Sequence, residues 1–177
     1  MGGSVHLFMI GPGGVGKSTV GEKLAERLGY TFVDLDTQFC ERLANIRDYL
    51  KTDGYEAYLE QNSALFEALS VELRHHNVVF ALSSGFLATD IRPDIVQRNR
   101  QRVRESGRSI LLMPSKDVDV ACGCIVTRQL KRGFGLERDK EETKFRQRFP
   151  DYMALGDIQI FAMGSPEIII NKIIAAL

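Results

Sequence analysis

The stretch GPGGVGKS at residues 11–18 constrains the fold of this chain more than any other. It matches the pattern G-x-x-x-x-G-K-S/T, and it lies between an apolar run, VHLFMIG, and a segment with helical spacing. Glycines let a backbone wrap closely around an anion and turn its N–H groups inward, and the following helix presents the positive end of its dipole. The sequence therefore predicts a strand, a phosphate-binding loop and a helix in succession.

We expect this loop to hold a nucleoside triphosphate. Lys17 can reach the outer phosphates and neutralise charge during transfer, and the Ser18 hydroxyl can bind Mg²⁺. The residues expected to contact the nucleotide are Gly11, Gly13, Gly14, Val15, Gly16, Lys17, Ser18 and Thr19. A tight strand-to-helix turn without a ligand would not need the Lys-Ser pair, so the motif favours nucleotide binding.

Short apolar runs alternate with helical patterns along the rest of the chain. After the first strand, strands are expected at YTFVDLD, NVVFALSSG, RSILLMP and DIQIFAM, and a closing helix at SPEIIINKIIAAL. Strands separated by helices pair in parallel, and helices then cover both faces of the sheet. The predicted fold is an α/β fold with a five-stranded parallel sheet flanked by helices, in a single domain over residues 1–177.

The composition narrows the possible partners. Lys plus Arg and Asp plus Glu are balanced at 23 each, so no overall field draws the protein to nucleic acid or membrane. No apolar run has the length of a membrane span, and the N-terminal stretch lacks the features of a secretory signal. The three cysteines form no disulfide framework, and the pair in CGC at 122–124 lacks further Cys or His ligands nearby. We expect a cytoplasmic protein, monomeric or weakly associating, with a small-molecule substrate.

The phosphate-binding loop does not define what receives the phosphate. A GTPase needs Asn-Lys-x-Asp, and the single Asn-Lys, at 171–172, continues as Ile-Ile. DNA motors and AAA-type ATPases are longer and usually carry an apolar strand ending in Asp-Glu, which this sequence lacks. Instead, FVDLDTQF places Asp34 and Asp36 at the end of the second predicted strand. The charge-dense segment at 128–148 could be a mobile basic lid or an exposed helix plus loop. These features together favour a small-molecule kinase.

At this point the chain resembles the shikimate kinases, which are P-loop kinases of the nucleoside-monophosphate-kinase type. The resemblance rests on GPGGVGKS, on DLD at a matching distance after it, on RFPDY at 148–152 and on the strand that follows, and it covers nearly the whole chain. It implies a P-loop NTPase fold with a lid at 128–148 and acceptor-binding helices at 37–76. It also implies transfer of phosphate from ATP, with Mg²⁺, to a hydroxyl of shikimate.

The resemblance assigns roles to several side chains outside the loop. Asp36 would hold the acceptor hydroxyls and act as base or orient the attacking oxygen, and Asp34 would support Mg²⁺ through water. Arg148 would grip the acceptor carboxylate, which suits a planar guanidinium. Arg128 would lie near the adenine, and Arg132 would be the lid arginine that covers the transferring phosphate.

Simpler roles are open for some of these residues. An aspartate before a helix is often a cap, and Asp34 could also pair with Lys17. Arg148 could be a surface arginine that precedes a proline turn.

The acceptor half of the sequence departs from the family's pattern. Where the family has G-E-x-x-F-R, this chain has GYEAYL at 54–59, so Leu59 replaces an expected arginine. Where the family has three glycines after strand three, this chain has SSG at 83–85. The lid's R-P-L-L is RGFG at 132–135. The residues still expected to line the acceptor site, besides Asp36 and Arg148, are Tyr58, Ser84 and Gly85.

These departures leave the acceptor open. Loss of one of two carboxylate-binding arginines costs binding energy, at about 1.5–3 kcal/mol for each charged hydrogen bond. The alternatives to shikimate are another cyclic acid or polyol, or a protein that binds ATP without transferring phosphate. Arg47, in the helical region after DLD, could supply the missing cation.

Overall fold

The computed structural model describes residues 3–177. Its strands pair in the order β2-β3-β1-β4-β5, and every pair is parallel. In chain order, the elements are β1 His6–Ile10, α1 Lys17–Leu28, β2 Thr31–Asp34, α2 Leu35–Arg42, α3 Ile46–Asp53, α4 Tyr55–Glu72, β3 Val78–Ala81, α5 Pro93–Ser106, β4 Arg108–Met113, α6 Val118–Lys131, α7 Arg138–Met153, β5 Ile158–Phe161 and α8 Pro166–Ala176. The prediction of a five-stranded parallel sheet flanked by helices is confirmed.

The centre of the sheet is apolar and fully buried. Every residue of β1 and β3 is buried, as expected for strands covered on both faces. Phe8 of β1 stacks on Phe80 of β3 with ring centroids 5.2 Å apart, and Phe66 of α4 packs against both rings. This core fixes the strands in register, so their carboxyl ends meet at one edge. Ligands of open parallel sheets bind at that edge.

The second strand ends earlier than the sequence predicts. β2 stops at Asp34, because the Asp34 side chain accepts a hydrogen bond from the Thr37 backbone N–H at 3.1 Å and caps α2. A cap of this kind satisfies one of the free N–H groups at a helix start. Asp36 therefore lies in the first turn of α2 and not in the strand.

The charge-dense segment at 128–148 spans the end of α6, a loop at 132–137 and most of α7. Helix α6 was not predicted from the sequence, and it begins where Asp117 accepts hydrogen bonds from the N–H groups of Asp119 and Val120. The alternative in which Arg148 precedes a proline turn is wrong, because α7 continues through Pro150. Within residues 3–177, no helix combines the length and apolar character that a membrane crossing needs.

Candidate active site

The phosphate-binding loop connects β1 to α1 at the carboxyl edge of the sheet. Gly14 and Gly16 have φ angles of 83° and 103°, in the left-handed region that side chains other than glycine rarely adopt. Gly16 is the N-cap residue of α1, and as a glycine it has no side chain that could accept a hydrogen bond from the first N–H groups of the helix. The first N–H groups of α1 therefore receive no hydrogen bond from a capping side chain, and an anion bound there would meet the positive end of the helix.

Lys17 folds back over this loop. Its Nζ donates to the carbonyl oxygens of Gly11 at 2.8 Å and Pro12 at 3.0 Å. These are the hydrogen bonds of the Lys17 side chain, and neither goes to Asp34. The alternative in which Asp34 pairs with Lys17 is therefore wrong. Burial lowers the pKa of Lys17 to about 8, although the negative charges of Asp36 and Asp34 act to raise it. The lysine sits between the loop and the two carboxylates, where it can meet phosphate oxygens.

Ser18 and Asp34 form a hydrogen-bonded pair at the mouth of the loop. The Ser18 hydroxyl donates to one carboxylate oxygen of Asp34, and the other oxygen caps α2. Both groups offer the oxygen atoms that Mg²⁺ prefers. No cluster of three or more His, Cys, Asp or Glu suited to a metal occurs among residues 3–177. A magnesium ion that keeps several waters and binds phosphate oxygens needs no such cluster, so this pair fits it.

The loop, both aspartates and Arg132 share one cleft of about 320 Å³. The residues that line it are Gly13, Gly14, Gly16, Lys17, Ser18, Thr19, Asp34, Asp36, Ala81, Leu82, Ser84, Gln129 and Arg132. Loops after β1, β2 and β3 meet here because the carboxyl ends of parallel strands share one edge. The expected catalytic residues Lys17, Asp36 and Arg132 are thus brought together by the fold.

Gln129 of α6 positions the arginine in this cleft. Its Oε1 accepts a hydrogen bond from an Arg132 N–H at 2.9 Å. Its Nε2 lies so close to Gly13 that a Cβ on that glycine would be 2.5 Å away. Gln129 therefore packs against the loop and holds the guanidinium above it. Sequence reasoning missed this residue because it did not predict α6.

Arg128 points to a second, adjacent cavity. It donates to the Gly14 carbonyl oxygen at 3.4 Å and lines a cavity of about 190 Å³ with Val15, Gly164 and Pro166. This cavity lies beside the phosphate-binding loop, on the side toward α8. Gly164 and Pro166 were not among the expected site residues, although a glycine and a proline between the last strand and the closing helix are a readable signal for a tight loop.

Of the acceptor residues expected from the sequence, Asp36 and Ser84 line the cleft, whereas Tyr58 and Gly85 are buried behind it. Tyr58 is buried, with its ring 5.1 Å from that of Phe39, and burial raises the pKa of its phenol above the usual value. Gly85 is buried beneath Arg148 and Tyr55. The Tyr55 hydroxyl accepts a hydrogen bond from Arg148 at 3.1 Å. Tyr55, which was not among the site residues expected from the sequence, thus fixes the guanidinium of Arg148.

The two positions discussed for the missing cation differ in environment. Leu59 is 2% exposed and belongs to the apolar core. The Arg47 guanidinium lies over the ring of Phe134, 3.1 Å from its centroid. Arg132 lies on the same ring at 5.1 Å. Arg47 therefore connects α3 to the loop at 132–137, whereas the position of Leu59 carries no charge.

The loop after β3 is fastened to α7. The Tyr152 hydroxyl donates to the Ser84 carbonyl oxygen, and burial raises the pKa of Tyr152 to about 12, so this donor keeps its proton at neutral pH. Ser83 donates to a carboxylate oxygen of Asp36. The SSG stretch that replaces three glycines is therefore anchored on both sides. The Ser83 contact was missed because 47 positions separate the two residues.

Comparison with known proteins connects this geometry to a family. The shikimate kinase family model matches residues 13–177. The shikimate kinase of Psychrobacter sp. strain PRwf-1 is 30% identical over 186 aligned positions, which cover 97% of this chain and 91% of that protein.

Solved structures agree in fold. The shikimate kinase of Acinetobacter baumannii in complex with shikimate superposes with a TM-score of 0.77 at 23% identity, covering 98% of this chain and 92% of that one. A gluconokinase from Sinorhizobium meliloti superposes at 0.62 with 18% identity, covering 97% and 90%. The fold is that of the P-loop NTPases, and the matches in sequence support a kinase. The chain belongs to the shikimate kinase family.

Proposed function

We propose that this protein transfers the γ-phosphoryl group of ATP to a hydroxyl of a small cyclic acid, with shikimate as the leading acceptor. One observation carries the proposal: the glycine loop, Lys17, both aspartates and Arg132 face a single cleft of about 320 Å³. That set contains a phosphate cradle, two cations and a carboxylate for an acceptor hydroxyl, which are the parts that phosphoryl transfer to an alcohol needs.

The nucleotide would lie across the two adjoining cavities. Its phosphates would meet the N–H groups of the loop and of the start of α1, and its adenine would enter the cavity beside Arg128 and Pro166. Ser18 would bind Mg²⁺ directly and Asp34 would do so through water, since the two already share a hydrogen bond. When bound, the ion would neutralise charge on the phosphate oxygens.

The transfer step would rely on position and charge. Asp36 would accept a hydrogen bond from the attacking hydroxyl and point its oxygen at the γ-phosphorus, which is the geometry an in-line displacement needs. Lys17 and Arg132 would stabilise the charge that spreads over the transferring group. Gln129 would keep Arg132 in place, because it already holds that guanidinium at 2.9 Å.

An acceptor carboxylate would bind Arg148. Tyr55 holds this guanidinium over Gly85, and Arg148 shares a small adjoining cavity with Ser84, which also lines the cleft. The family match and the shikimate complex of the Acinetobacter enzyme support a cyclic acid. The buried Leu59 provides no second cation, so we expect weaker binding of shikimate than two arginines would give.

The second candidate is a related kinase with a different acceptor. Leu59 at the position of an expected arginine and Ser83 and Ser84 in place of glycines favour it, because they remove a charge and add two hydroxyls. Such a pocket suits an acceptor with more hydroxyls and less dependence on its carboxylate. A third candidate, an ATP-binding protein without transfer, is disfavoured by the intact Asp34 and Asp36 pair.

A coupled assay of ADP release over shikimate, aminoshikimate, quinate and gluconate separates these candidates. The Lys17→Ala variant, purified in parallel, controls for contaminating kinases. Turnover of shikimate at rates usual for kinases, about 1–100 per second, would support the first proposal and exclude the second. Preference for another acceptor would do the reverse. Calorimetry that shows ATP binding without turnover of any acceptor would favour the third.

A further inference from the structure

A short chain of buried hydrogen bonds leads from α4 to the carboxylate of Asp36. Asn62 is 1% exposed, and its Nδ2 donates to the Ser83 hydroxyl at 3.0 Å. Ser83, which is 8% exposed, donates in turn to Oδ1 of Asp36. Asp36 itself is exposed to the cleft. The chain therefore joins the inside of the protein to a group that faces the acceptor.

The direction of each hydrogen bond follows from the charge on Asp36. An ionised carboxylate only accepts, so the single proton of Ser83 must point to Asp36. Ser83 then has no proton left to donate to Asn62, so its oxygen acts toward Asn62 as an acceptor. The amide of Asn62 is therefore oriented with its NH₂ group toward Ser83. The same NH₂ group lies 3.4 Å from the Tyr58 hydroxyl. The charge at the cleft thus determines how a buried amide two bonds away is oriented.

This orientation of the Asn62 amide determines the surroundings of its oxygen. Oδ1 of Asn62 is buried and has no hydrogen-bond partner among residues 3–177. Buried acceptors are nearly always satisfied, and one that is not calls for an explanation. Turning the amide over would bring this oxygen to Ser83, and the carboxylate of Asp36 does not permit that. The hydrogen bond from Ser83 to Asp36 therefore explains why Oδ1 of Asn62 faces away from Ser83, where no side chain or backbone group among residues 3–177 donates to it.

We propose that Ser83 and Asn62 are positioning residues that hold Asp36 by one oxygen and leave its other oxygen for the acceptor hydroxyl. The proposal rests on the proposed kinase function, in which Asp36 orients the attacking oxygen. A free aspartate in the first turn of a helix could rotate about its side-chain torsions. Fastened through Oδ1, it presents Oδ2 in one direction, and orientation of this kind supplies much of the rate enhancement in phosphoryl transfer.

A second serine–asparagine pair provides a matched control. Ser63, next to Asn62 in α4, donates to Asn99 at 2.6 Å, and both residues are 1% exposed. Asn99 donates onward to the Phe86 carbonyl oxygen at 3.1 Å, so this pair ends in the backbone and not in the cleft. Both pairs join a buried serine hydroxyl to a buried asparagine amide, although Asn62 donates to Ser83 whereas Ser63 donates to Asn99. They differ in whether they reach Asp36.

The first experiment compares activity and stability in alanine and leucine variants. Ser83→Ala should lower kcat by about 10-fold to 100-fold with an unchanged KM for ATP, because a hydrogen bond to a charged group is lost. Asn62→Leu should lower kcat by about 2-fold to 10-fold while its Tm stays equal or rises, because the unsatisfied oxygen is removed. Ser63→Ala should lower Tm and leave kcat unchanged. In an Asp36→Asn background, Ser83→Ala should cause no further loss.

The second experiment does not need turnover. The side-chain amide resonances of Asn62 and Asn99 are followed by ¹⁵N NMR in the full chain. Asp36→Asn lets the chain of donors reverse, so the Asn62 amide should shift strongly while that of Asn99 stays in place. Asp34→Asn, which removes a nearby charge that does not contact Ser83, should shift Asn62 far less.

The two experiments separate failure of the inference from failure of the proposed function. A wild-type protein that turns over no acceptor overturns the proposed function, and the NMR comparison still decides the positioning. An Asn62 amide that ignores Asp36→Asn, or responds equally to Asp34→Asn, overturns the inference. So does a Ser83→Ala variant that retains the kcat of the wild type, or one whose loss equals that of Ser63→Ala.

Discussion

The proposed nucleotide side and the proposed acceptor side of the cleft are built in different ways. The nucleotide side consists mainly of backbone groups in one contiguous stretch, residues 11–19, with Gln129 and Arg132 packed on top. The acceptor side consists of side chains from α2, α4 and α7 that meet through long-range contacts, such as that of Tyr55 with Arg148. A backbone site tolerates change in few positions. A site made of side chains can change one residue at a time, and the departures from the family pattern at 54–59 and 83–85 fall on this side.

The largest effect expected to separate the two sides is that of Asp36→Asn. An amide cannot take a proton from the acceptor, and loss of a general base lowers rates by about 10²–10⁴-fold. The ATP dissociation constant should stay within about twofold, because Asp36 contacts Ser83 and not the loop. Steady-state kinetics and calorimetry on the same preparation measure both quantities. A loss of ATP affinity comparable to the loss of kcat would assign Asp36 to the nucleotide side and break the division.

A second prediction restores the arginine that the family pattern expects. Leu59→Arg should destabilise the protein by about 3–5 kcal/mol, because position 59 is 2% exposed and an unpaired guanidinium would be buried there. For a chain of this size the loss corresponds to a decrease in Tm of roughly 6–20 °C. Leu59→Met, a change of similar volume, should cost less than about 1.5 kcal/mol.

The Tm of the Leu59 variants and their KM for the acceptor distinguish two explanations for the missing arginine. If Leu59→Arg unfolds as expected, the surroundings of position 59 have changed together with the residue. If it keeps the wild-type Tm and binds shikimate more tightly, the pocket is intact and merely lacks one cation.

The same division explains what could be predicted from the sequence. The sheet, its parallel direction and the phosphate-binding loop could be predicted, because each is encoded in a contiguous pattern of apolar residues or glycines. The partners of Asp36 and Arg148 could not, because Ser83 and Tyr55 become neighbours of these residues only through folding, across 47 and 93 positions. Helix α6 was not predicted because β-branched residues and CGC interrupt its helical pattern. Its cap, Asp117, lies outside any apolar run.

A third prediction concerns pH and the nucleotide side alone. Burial holds the pKa of Lys17 at about 8, below its ordinary value of 10.5, so the lysine loses its proton as the pH rises through about 8. The value of kcat/KM should then fall about tenfold per pH unit, because transfer needs the charged form and this ratio reports the free enzyme. The corresponding fall in kcat should occur at higher pH, because the bound phosphates favour the protonated ammonium form of Lys17.

The control for this profile is Lys17→Arg, whose guanidinium stays charged throughout. Its residual activity should lack the limb near pH 8. The unfolding free energy provides a second check: between about pH 8 and 10.5 the unfolded chain binds the Lys17 proton and the folded chain does not, so this contribution to stability rises with pH. An unchanged limb in Lys17→Arg would assign the titration to another group.

The smallest effect belongs to the contact that joins the two sides. Phe134 is 43% exposed, and its ring contacts the guanidinium groups of both Arg47, in α3, and Arg132, at the cleft. Exposed cation–π contacts contribute about 0.5–1 kcal/mol, so Phe134→Ala should lower kcat by about twofold to fivefold without changing ATP affinity. Phe134→Tyr keeps the ring and should behave as the wild type. If the contact acts as a link, Arg47→Ala should match Phe134→Ala and the double variant should add nothing, whereas additive losses would mean that α3 and the loop at 132–137 contribute separately.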